Sequence, residues 1–152
     1  MELKLKWHSP LALTDASNSN GIYSADLKDI PQRAGIYIFY REHGASRKAL
    51  YIGKATNLKS RIKSQLNNVR LMKGIENSSS GSRRIIFAEF FAKPGQQEKK
   101  CILVIERALI RHYLALGDII LNIQGTKIKS DSIFSERIYL TKFIPATIHQ
   151  QK

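Results

Sequence analysis

Cysteine is almost missing from this sequence of 152 residues. Cys101 is the only one, so the chain can build neither an internal disulfide nor a cysteine-ligated metal site. It lies in the apolar run of residues 101–105, where we expect it to be a buried core residue.

Long apolar runs are missing as well. No stretch approaches the ~20 apolar residues that cross a membrane. Residues 1–6 alternate apolar with charged side chains, unlike the apolar centre of a signal peptide. We therefore expect an intracellular, cytoplasmic protein with no membrane partner.

Acidic residues are scarce. The 12 Asp and Glu residues face 25 Lys and Arg, which gives a formal net charge of +13 and a pI near 10.0. This excess predicts a polyanionic partner, with nucleic acid as the leading candidate, because Lys and Arg that neutralise phosphates release counterions. A soluble domain that carries surplus lysines is the alternative. With 43% hydrophobic residues, the chain fits one domain with its own core.

Two tripeptides, Gly35-Ile36-Tyr37 and Tyr51-Ile52-Gly53, are the most informative feature of the chain. Each lies in a run rich in β-branched and aromatic residues, which predicts two strands over residues 34–40 and 49–54. The polar segment 41–48 between them contains Gly44 and predicts a hairpin loop. If the strands pair, two tyrosines come to lie side by side.

A third copy, Gly21-Ile22-Tyr23, follows a polar loop over residues 14–21. It is not followed by strand alternation, so we expect the copy at residues 35–37 to be the structural one. Near the N-terminus, Leu3, Leu5 and Trp7 alternate with polar residues and predict a short half-buried strand.

Helical spacing begins after the hairpin. Thr56 is the expected cap of a helix whose apolar residues Leu58, Ile62, Leu66 and Val69 fall on one face. The basic residues of this segment are Lys59, Arg61, Lys63 and Arg70.

The second half of the chain predicts a third strand over residues 83–93 and a long helix over about 96–116 that Gly117 and Asp118 stop. A short extended piece over 119–123 and a further strand over 137–143 follow. The expected fold is α+β, a small sheet of about three central strands flanked by helices. The expected organisation is an N-terminal extension (1–30), a central domain (31–125) and a C-terminal extension (126–152).

Several polar side chains then become neighbours on this scaffold. Tyr37 and Tyr51 can meet at one cleft if they share a face of the sheet. Lys54 ends the second strand, and Arg61 borders the apolar side of the first helix. Glu106 is surrounded by apolar residues of the long helix, so it needs a metal or a cation as partner. A purely structural ion pair, near Arg107 or with Arg61, is the alternative.

Together these segments resemble the GIY-YIG nuclease family. The resemblance rests on the two tripeptides, Lys54, the segment 57–62 with Arg61, the segment 105–110 with Glu106, and Asn122 within residues 121–123. It covers about residues 30–124 and looks closest to the N-terminal nuclease module of bacterial excision-repair endonucleases, and more loosely to small restriction enzymes.

The resemblance implies a divalent-metal-dependent endonuclease that hydrolyses phosphodiester bonds of double-stranded DNA. Glu106 matches the ligand of Mg²⁺ or Mn²⁺, and Arg61 matches an arginine that binds phosphate oxygens. Either Tyr37 or Tyr51 matches the general base, with Lys54 favouring the phenolate or holding a phosphate. Asn122 matches an asparagine that orders the site. The residues expected to bind DNA are Lys54, Lys59, Arg61, Lys63 and Arg70.

One position departs from the family pattern. Many members carry a tyrosine or histidine four residues after the arginine, where this chain has Gln65, which cannot exchange a proton near neutral pH. Activity would then be reduced, moved to His43 or His112, or lost. The hairpin loop, longer than in compact members, offers a further DNA contact through Arg41, Arg47 and Lys48.

Three hypotheses follow for the function. The first is an active nuclease, acting in repair, in restriction or for a mobile element, as a monomer or a homodimer. The second is a nucleic-acid-binding module that keeps the fold without turnover. The third is a structural or protein-interaction domain whose tyrosines are core residues.

Overall fold

The computed structural model describes residues 2–122, 132–136 and 143–149, and the fold is α+β, as predicted. The elements in chain order are β1 (Glu2–Trp7), β2 (Leu11–Ala12), β3 (Thr14–Asp15), a 3₁₀ turn (Ser17–Ser19), β4 (Tyr23–Ser24), β5 (Gly35–His43), β6 (Ser46–Ala55), α1 (Leu58–Leu66), α2 (Val69–Glu76), β7 (Ser82–Phe90), α3 (Glu98–Ala115), β8 (Ser132–Glu136) and β9 (Thr147–His149). The division of the chain into two extensions and a central domain stays a prediction.

The main sheet has the strand order β6-β5-β7-β1-β8-β9, and β2 also pairs with β7. The expected central trio β6-β5-β7 is present, and the sheet contains further strands on the side of β7. β1 continues the sheet beyond β7, antiparallel to it, and pairs in parallel with β8. Its alternating burial matches the predicted half-buried strand. β3 and β4 form a separate two-stranded pair, and Tyr23 of the third tripeptide copy lies there, outside the main sheet.

The hairpin between the two tripeptides is longer than predicted, and the predicted loop over 41–48 is wrong. β5 and β6 stay paired to His43 and Ser46, so the turn is reduced to Gly44 and Ala45. Gly44 has φ of +59°, which suits a tight turn. Opposite charges stabilise the extra rungs, because Arg47 Nε donates to Glu42 Oε2 at 2.8 Å across the ladder.

The other two basic residues of that segment are also held by the protein. Arg41 donates to the backbone oxygen of Ser80 at 3.3 Å, and Lys48 Nζ lies 3.6 Å from the buried carboxylate of Asp118. The two strands of the hairpin are therefore paired up to the turn. Arg41, Arg47 and Lys48 already have hydrogen-bond or ion-pair partners within the protein.

The helix after the hairpin is two helices. Its cap is Asn57 and not Thr56, because Asn57 Oδ1 accepts from the backbone N–H of Ser60 at 3.1 Å. α1 ends at Leu66, and a second cap at Asn68 starts α2. Val69, which was expected on the apolar face of one continuous helix, is 60% exposed.

The remaining predicted elements hold with shifted ends. β7 ends at Phe90, and α3 ends before Gly117, whose φ of +86° suits the residue after a helix. Cys101 is buried, as expected. The expected extended piece from 119 forms no strand up to residue 122, and its last residue, 123, lies outside the described residues, as does most of the expected strand over 137–143. No helix in the described part of the chain is long and apolar enough to cross a membrane.

Two apolar layers cover the two faces of the sheet. α3 packs with Ile36, Ile38 and Ile52 on one face, while α1 and α2 pack with Tyr37 and Phe39 on the other. Because successive strand residues point to opposite faces, the edge strand β6 and its neighbour β5 send their side chains alternately toward α1 and toward α3. The outer edge of β6 is covered in part by the segment after α3, where the Leu121 N–H donates to the backbone oxygen of Leu50 at 2.7 Å.

Candidate active site

The two tyrosines of the tripeptides lie on the same face of the sheet. Tyr37 is paired with Gly53, and Phe39 is paired with Tyr51. The rings of Tyr37 and Tyr51 are stacked, with centroids 6.3 Å apart and an interplanar angle of 27°. Tyr37 is fully buried, whereas Tyr51 is partly exposed. The strand pairing thus brings the two hydroxyls to one place, as the sequence suggested.

Gln65 connects these hydroxyls. Its Nε2 donates to Tyr37 Oη at 2.8 Å and to Tyr51 Oη at 3.4 Å. Although it is polar, its side chain is buried with 4% exposure. Sequence reasoning treated Gln65 as a missing titratable group. Its distance of four residues from Arg61, one helical turn, was the signal that it faces the same site.

Burial raises the pKa of Tyr37 to about 12, while the hydrogen bond from Gln65 and the nearby Arg61 guanidinium oppose that rise. At neutral pH the Tyr37 phenol is therefore protonated. Arg61 has a raised pKa, first because of its hydrogen bond to Tyr37 and then because of charge interactions that include Glu106. Arg61 is exposed on α1 and interacts electrostatically with both tyrosines and with Glu106.

Glu106 is partly buried on α3, and its burial raises the pKa of the carboxyl group. Lys54 opposes this rise most strongly, through its charge and its backbone N–H, and Arg107 and Arg61 act in the same direction. The carboxylate thus faces several cations at the edge of β6. An ion pair with Arg61 alone does not describe its surroundings.

Lys54 lies on the other face of the sheet from the tyrosines. It is paired with Ile36, one position from the pairing of Tyr37 with Gly53, so strand alternation points it toward α3 and Glu106. The cation that acts on Tyr37 is Arg61. Lys54 is not among the groups that shift the pKa of Tyr37.

Asn122 holds the edge strand. Its Oδ1 accepts from the backbone N–H of Ile52 at 2.9 Å, and its Nδ2 donates to the backbone oxygen of the same residue at 2.6 Å. One side chain therefore replaces the missing neighbour strand at the residue between Tyr51 and Gly53. Asn122 thus braces the backbone of β6, and its expected role in ordering an active site stays a prediction.

A cleft of about 490 Å³ opens beside Tyr51. It is bounded by α2 and by the segment after α3, with the lining residues Tyr51, Asn68, Arg70, Leu71, Leu121 and Asn122. Arg70 is exposed at this cleft, and Lys63 is exposed on α1, while Lys59 is partly exposed. Four of the five cations predicted to bind DNA thus lie on α1 or at the start of α2, while Lys54 lies on β6.

The two histidines considered as replacements for Gln65 are not at this place. His43 follows Tyr37 by six residues on one strand, which is about 20 Å. His112 follows Glu106 by six residues on α3, about 240° around the helix, and its partial burial lowers its pKa. Neither histidine is a substitute for the residue at position 65.

Comparisons with known proteins place the chain near one group of relatives. It is 31% identical over 97 residues (57% of the chain, 14% of the relative) to UvrABC system protein C of Campylobacter jejuni strain RM1221. It is 30% identical over 117 residues (74% and 18%) to the protein of the same name in Fusobacterium nucleatum. A Wolbachia protein of that name is 33% identical over 99 residues (65% and 15%).

No protein-family model matches the chain, and no solved structure matches it. The matched regions span less than a fifth of the length of these curated relatives. The chain is therefore a distant relative of one part of the proteins named UvrABC system protein C.

Proposed function

We propose that the protein is a GIY-YIG endonuclease that hydrolyses phosphodiester bonds of DNA with Mg²⁺ or Mn²⁺. The observation that carries this proposal is that the stacked Tyr37 and Tyr51 and the Glu106 carboxylate all interact electrostatically with Arg61. The distant similarity to proteins named UvrABC system protein C supports it independently. On that similarity we propose DNA excision repair as the setting, with restriction and mobile-element roles as alternatives.

Arg61 is the proposed phosphate clamp. Its guanidinium is exposed yet held beside Tyr37, so it can present two N–H donors to two oxygens of a phosphodiester. A phosphate bound there would lie between the tyrosine hydroxyls and the Glu106 carboxylate. Arg61 would then stabilise the charge that develops on the phosphate oxygens in the transition state.

Glu106 is the proposed metal ligand. Among the described residues no three His, Cys, Asp or Glu side chains come together to hold a metal. One carboxylate nevertheless suits Mg²⁺, which is commonly bound by one or two carboxylates together with water and substrate phosphate oxygens. A partly buried carboxylate with a raised pKa gains from a cation, so the residue fits the group. When bound, Mg²⁺ would supply Lewis-acid stabilisation of phosphate and leaving-group charge.

A tyrosine hydroxyl is the proposed site of proton transfer. In hydrolysis, a water oxygen bonds to phosphorus while the bond to one deoxyribose oxygen breaks. The attacking water gives a proton to a tyrosine in its phenolate form, and the leaving oxygen takes a proton from solvent water. Tyr51 is the better placed acceptor because it is partly exposed and lines the cleft, whereas Tyr37 is fully buried with a pKa near 12. Tyr37 and Gln65 would orient Tyr51.

The test is cleavage of plasmid, branched and damaged DNA with Mg²⁺ or Mn²⁺. We expect Glu106→Gln and Arg61→Ala to abolish cleavage, and Glu98→Gln, an exposed acid in the first turn of the same helix α3, to keep it. Cleavage that survives in Glu106→Gln would contradict the proposed role of this carboxylate. Solution mass would decide between a monomer and a homodimer.

A binding module without turnover is the second candidate, because Gln65 stands where a titratable residue was expected and makes both tyrosines its hydrogen-bond partners. It predicts salt-sensitive DNA binding and no cleavage of any of these substrates by the wild type. Cleavage by the wild type that depends on Glu106 would exclude it.

A further inference from the structure

The Gln65 amide is held from two sides by hydrogen bonds. On one side its Nε2 donates to Tyr37 and Tyr51, and on the other its Oε1 accepts from Asn68 Nδ2 at 3.2 Å. Asn68 is the N-cap of α2, and its Oδ1 accepts from the backbone N–H of Leu71 at 3.1 Å. A continuous chain of hydrogen bonds thus runs from the start of α2 to both tyrosine hydroxyls.

The direction of this chain is set at its outer end. A backbone N–H can only donate, so the Leu71 amide requires the oxygen of Asn68 and leaves the Asn68 NH₂ group to face Gln65. Gln65 must then turn its own oxygen toward Asn68. Its NH₂ group is consequently the part that faces Tyr37 and Tyr51.

We propose that Asn68 is a positioning residue for the tyrosine pair: by capping α2 it fixes the Gln65 amide so that both tyrosine oxygens are hydrogen-bond acceptors. The proposal deepens the proposed function and rests on it where a tyrosine is given a role in proton transfer. It also gives the break between α1 and α2 a role. In one continuous helix the Leu71 N–H would bond to the backbone oxygen of residue 67 and would leave Asn68 without a fixed orientation.

The polarity matters because a donor and an acceptor act oppositely on a phenol. An N–H that donates to the phenol oxygen favours the phenolate, whereas a carbonyl that accepts the phenol proton favours the neutral form. Facing Tyr37, the charged and titratable groups are Tyr51 on β6 and Arg61 on α1, with Glu106 on α3 acting on Arg61. An oriented Gln65 amide works in the same direction as Arg61. A residue that cannot exchange protons thereby assists a proton transfer.

The first test needs no catalysis. The side-chain NH₂ of Gln65 is followed by NMR in the ¹⁵N-labelled full chain, in the wild type and in Asn68→Ser. Serine still caps α2 but is too short to reach Gln65. Asn57→Ser is the matched control, because Asn57 makes the same cap on α1. We expect contacts between the Gln65 NH₂ and the Tyr37 ring in the wild type and in Asn57→Ser.

In Asn68→Ser we expect those contacts to weaken and solvent exchange of the NH₂ protons to rise by about 5- to 10-fold, the equivalent of one hydrogen bond. Asn68→Asp, which also caps well but presents only acceptor oxygens to Gln65, should reverse the amide altogether. Unchanged protection in both Asn68 variants would overturn the proposal, whatever the chain does to DNA.

The second test is the pH dependence of DNA cleavage. Asn68→Ser and Gln65→Leu should move the alkaline-rising limb of the rate to higher pH and lower the rate at neutral pH by about 3- to 10-fold, with Asn57→Ser unchanged. A uniform loss at all pH values would show a merely structural role and overturn the proposal. If the wild type cleaves nothing, the proposed function fails, and the NMR result still decides the orientation of Gln65.

Discussion

The hydroxyl end of the Tyr37 ring lies directly over the α-carbon of Gly53 on the neighbouring strand. A Cβ atom at Gly53 would overlap the ring and the hydroxyl of Tyr37. The position of the Tyr37 ring therefore requires a glycine at residue 53. The two motifs are two halves of one packing contact between paired strands.

Gly53→Ala should change both the free energy of unfolding and the position of the Tyr37 hydroxyl. The added methyl group has to displace the Tyr37 ring, and overpacking of this kind costs about 1 to 3 kcal/mol of the free energy of unfolding. Because the ring carries the hydroxyl that contacts Gln65, kcat for DNA cleavage should fall at least about tenfold. Thermal unfolding and cleavage rates of the purified variant measure both effects.

Gly44→Ala is the control variant, because it should lower the free energy of unfolding by a similar amount at a position away from Tyr37. Gly44 has open space for a methyl group but a φ of +59°, so alanine there costs about 1 to 2 kcal/mol through backbone strain. It lies at the hairpin turn, and cleavage should remain normal. If both alanine variants lose activity to the same degree, general destabilisation explains the effect and the contact between Tyr37 and Gly53 has no special part in it.

Asn122→Ala should loosen the edge strand at the site. Both backbone groups of Ile52 lose their partner, and each broken hydrogen bond of this kind costs about 1 kcal/mol. Hydrogen exchange at the Ile52 amide should accelerate, and kcat should fall because Tyr51 is the next residue. Asn67→Ala, which removes an exposed contact to the Lys63 backbone, is the control. An Ile52 amide that exchanges at its wild-type rate in Asn122→Ala would refute the bracing role.

The sequence was sufficient to predict strands, because a strand leaves a regular alternation or a run of β-branched and aromatic residues. Alternation of apolar residues identified β1, and the runs around Tyr37 and Tyr51 identified the central hairpin. Strand pairing then followed, and with it the proximity of the two tyrosines. The exact register did not follow, because a bulge between Phe39 and Tyr40 shifts it and no residue type marks that bulge.

The missed features depend on side chains that act on the backbone. Asn57 and Asn68 decide where α1 begins and where it is interrupted, yet both are polar residues among other polar residues. The sequence shows only that Gln65 cannot exchange a proton. Its burial and its hydrogen bond to Tyr37 depend on how α1 packs against the sheet. Lys54 was expected to favour a phenolate or to hold a phosphate, and strand alternation turns it to the face of α3, away from the tyrosines.

Glu106→Gln should leave the protein at least as stable as the wild type at neutral pH. Burial raises the pKa of Glu106 above its ordinary value, so the folded state binds the proton more tightly than the unfolded state. Stability of the wild type therefore falls as pH rises through the interval from the ordinary pKa to the raised one. A glutamine does not ionise and avoids this loss.

The measurement is the free energy of unfolding from pH 4 to pH 8 for the wild type, for Glu106→Gln and for the exposed control Glu98→Gln. The gain in Glu106→Gln relative to the wild type should grow across that range, while cleavage is lost. A variant that is less stable at pH 8 than the wild type would mean that the cations around Glu106 outweigh its burial, and that its main role is an ion-pair network.

Salt dependence can locate the DNA-binding surface without any cleavage. Lys59 and Lys63 lie on α1, and Arg70 lies on α2, where it lines the cleft at Tyr51. If each of them neutralises one phosphate of a duplex, its replacement by alanine should reduce the slope of log K against log salt by about 0.9. Fluorescence anisotropy with a short labelled duplex in a series of KCl concentrations measures these slopes.

Lys93→Ala is the matched control, because Lys93 Nζ lies 3.6 Å from the Glu2 carboxylate and is not on these helices. Its slope should equal that of the wild type, since an internally paired cation releases few counterions when DNA binds. Equal reductions in all four variants would indicate diffuse attraction by the net charge of +13 in place of a defined surface. A reduction in slope confined to the α1 and α2 variants would place the DNA backbone along these two helices, next to Arg61 and to the cleft that Tyr51 lines.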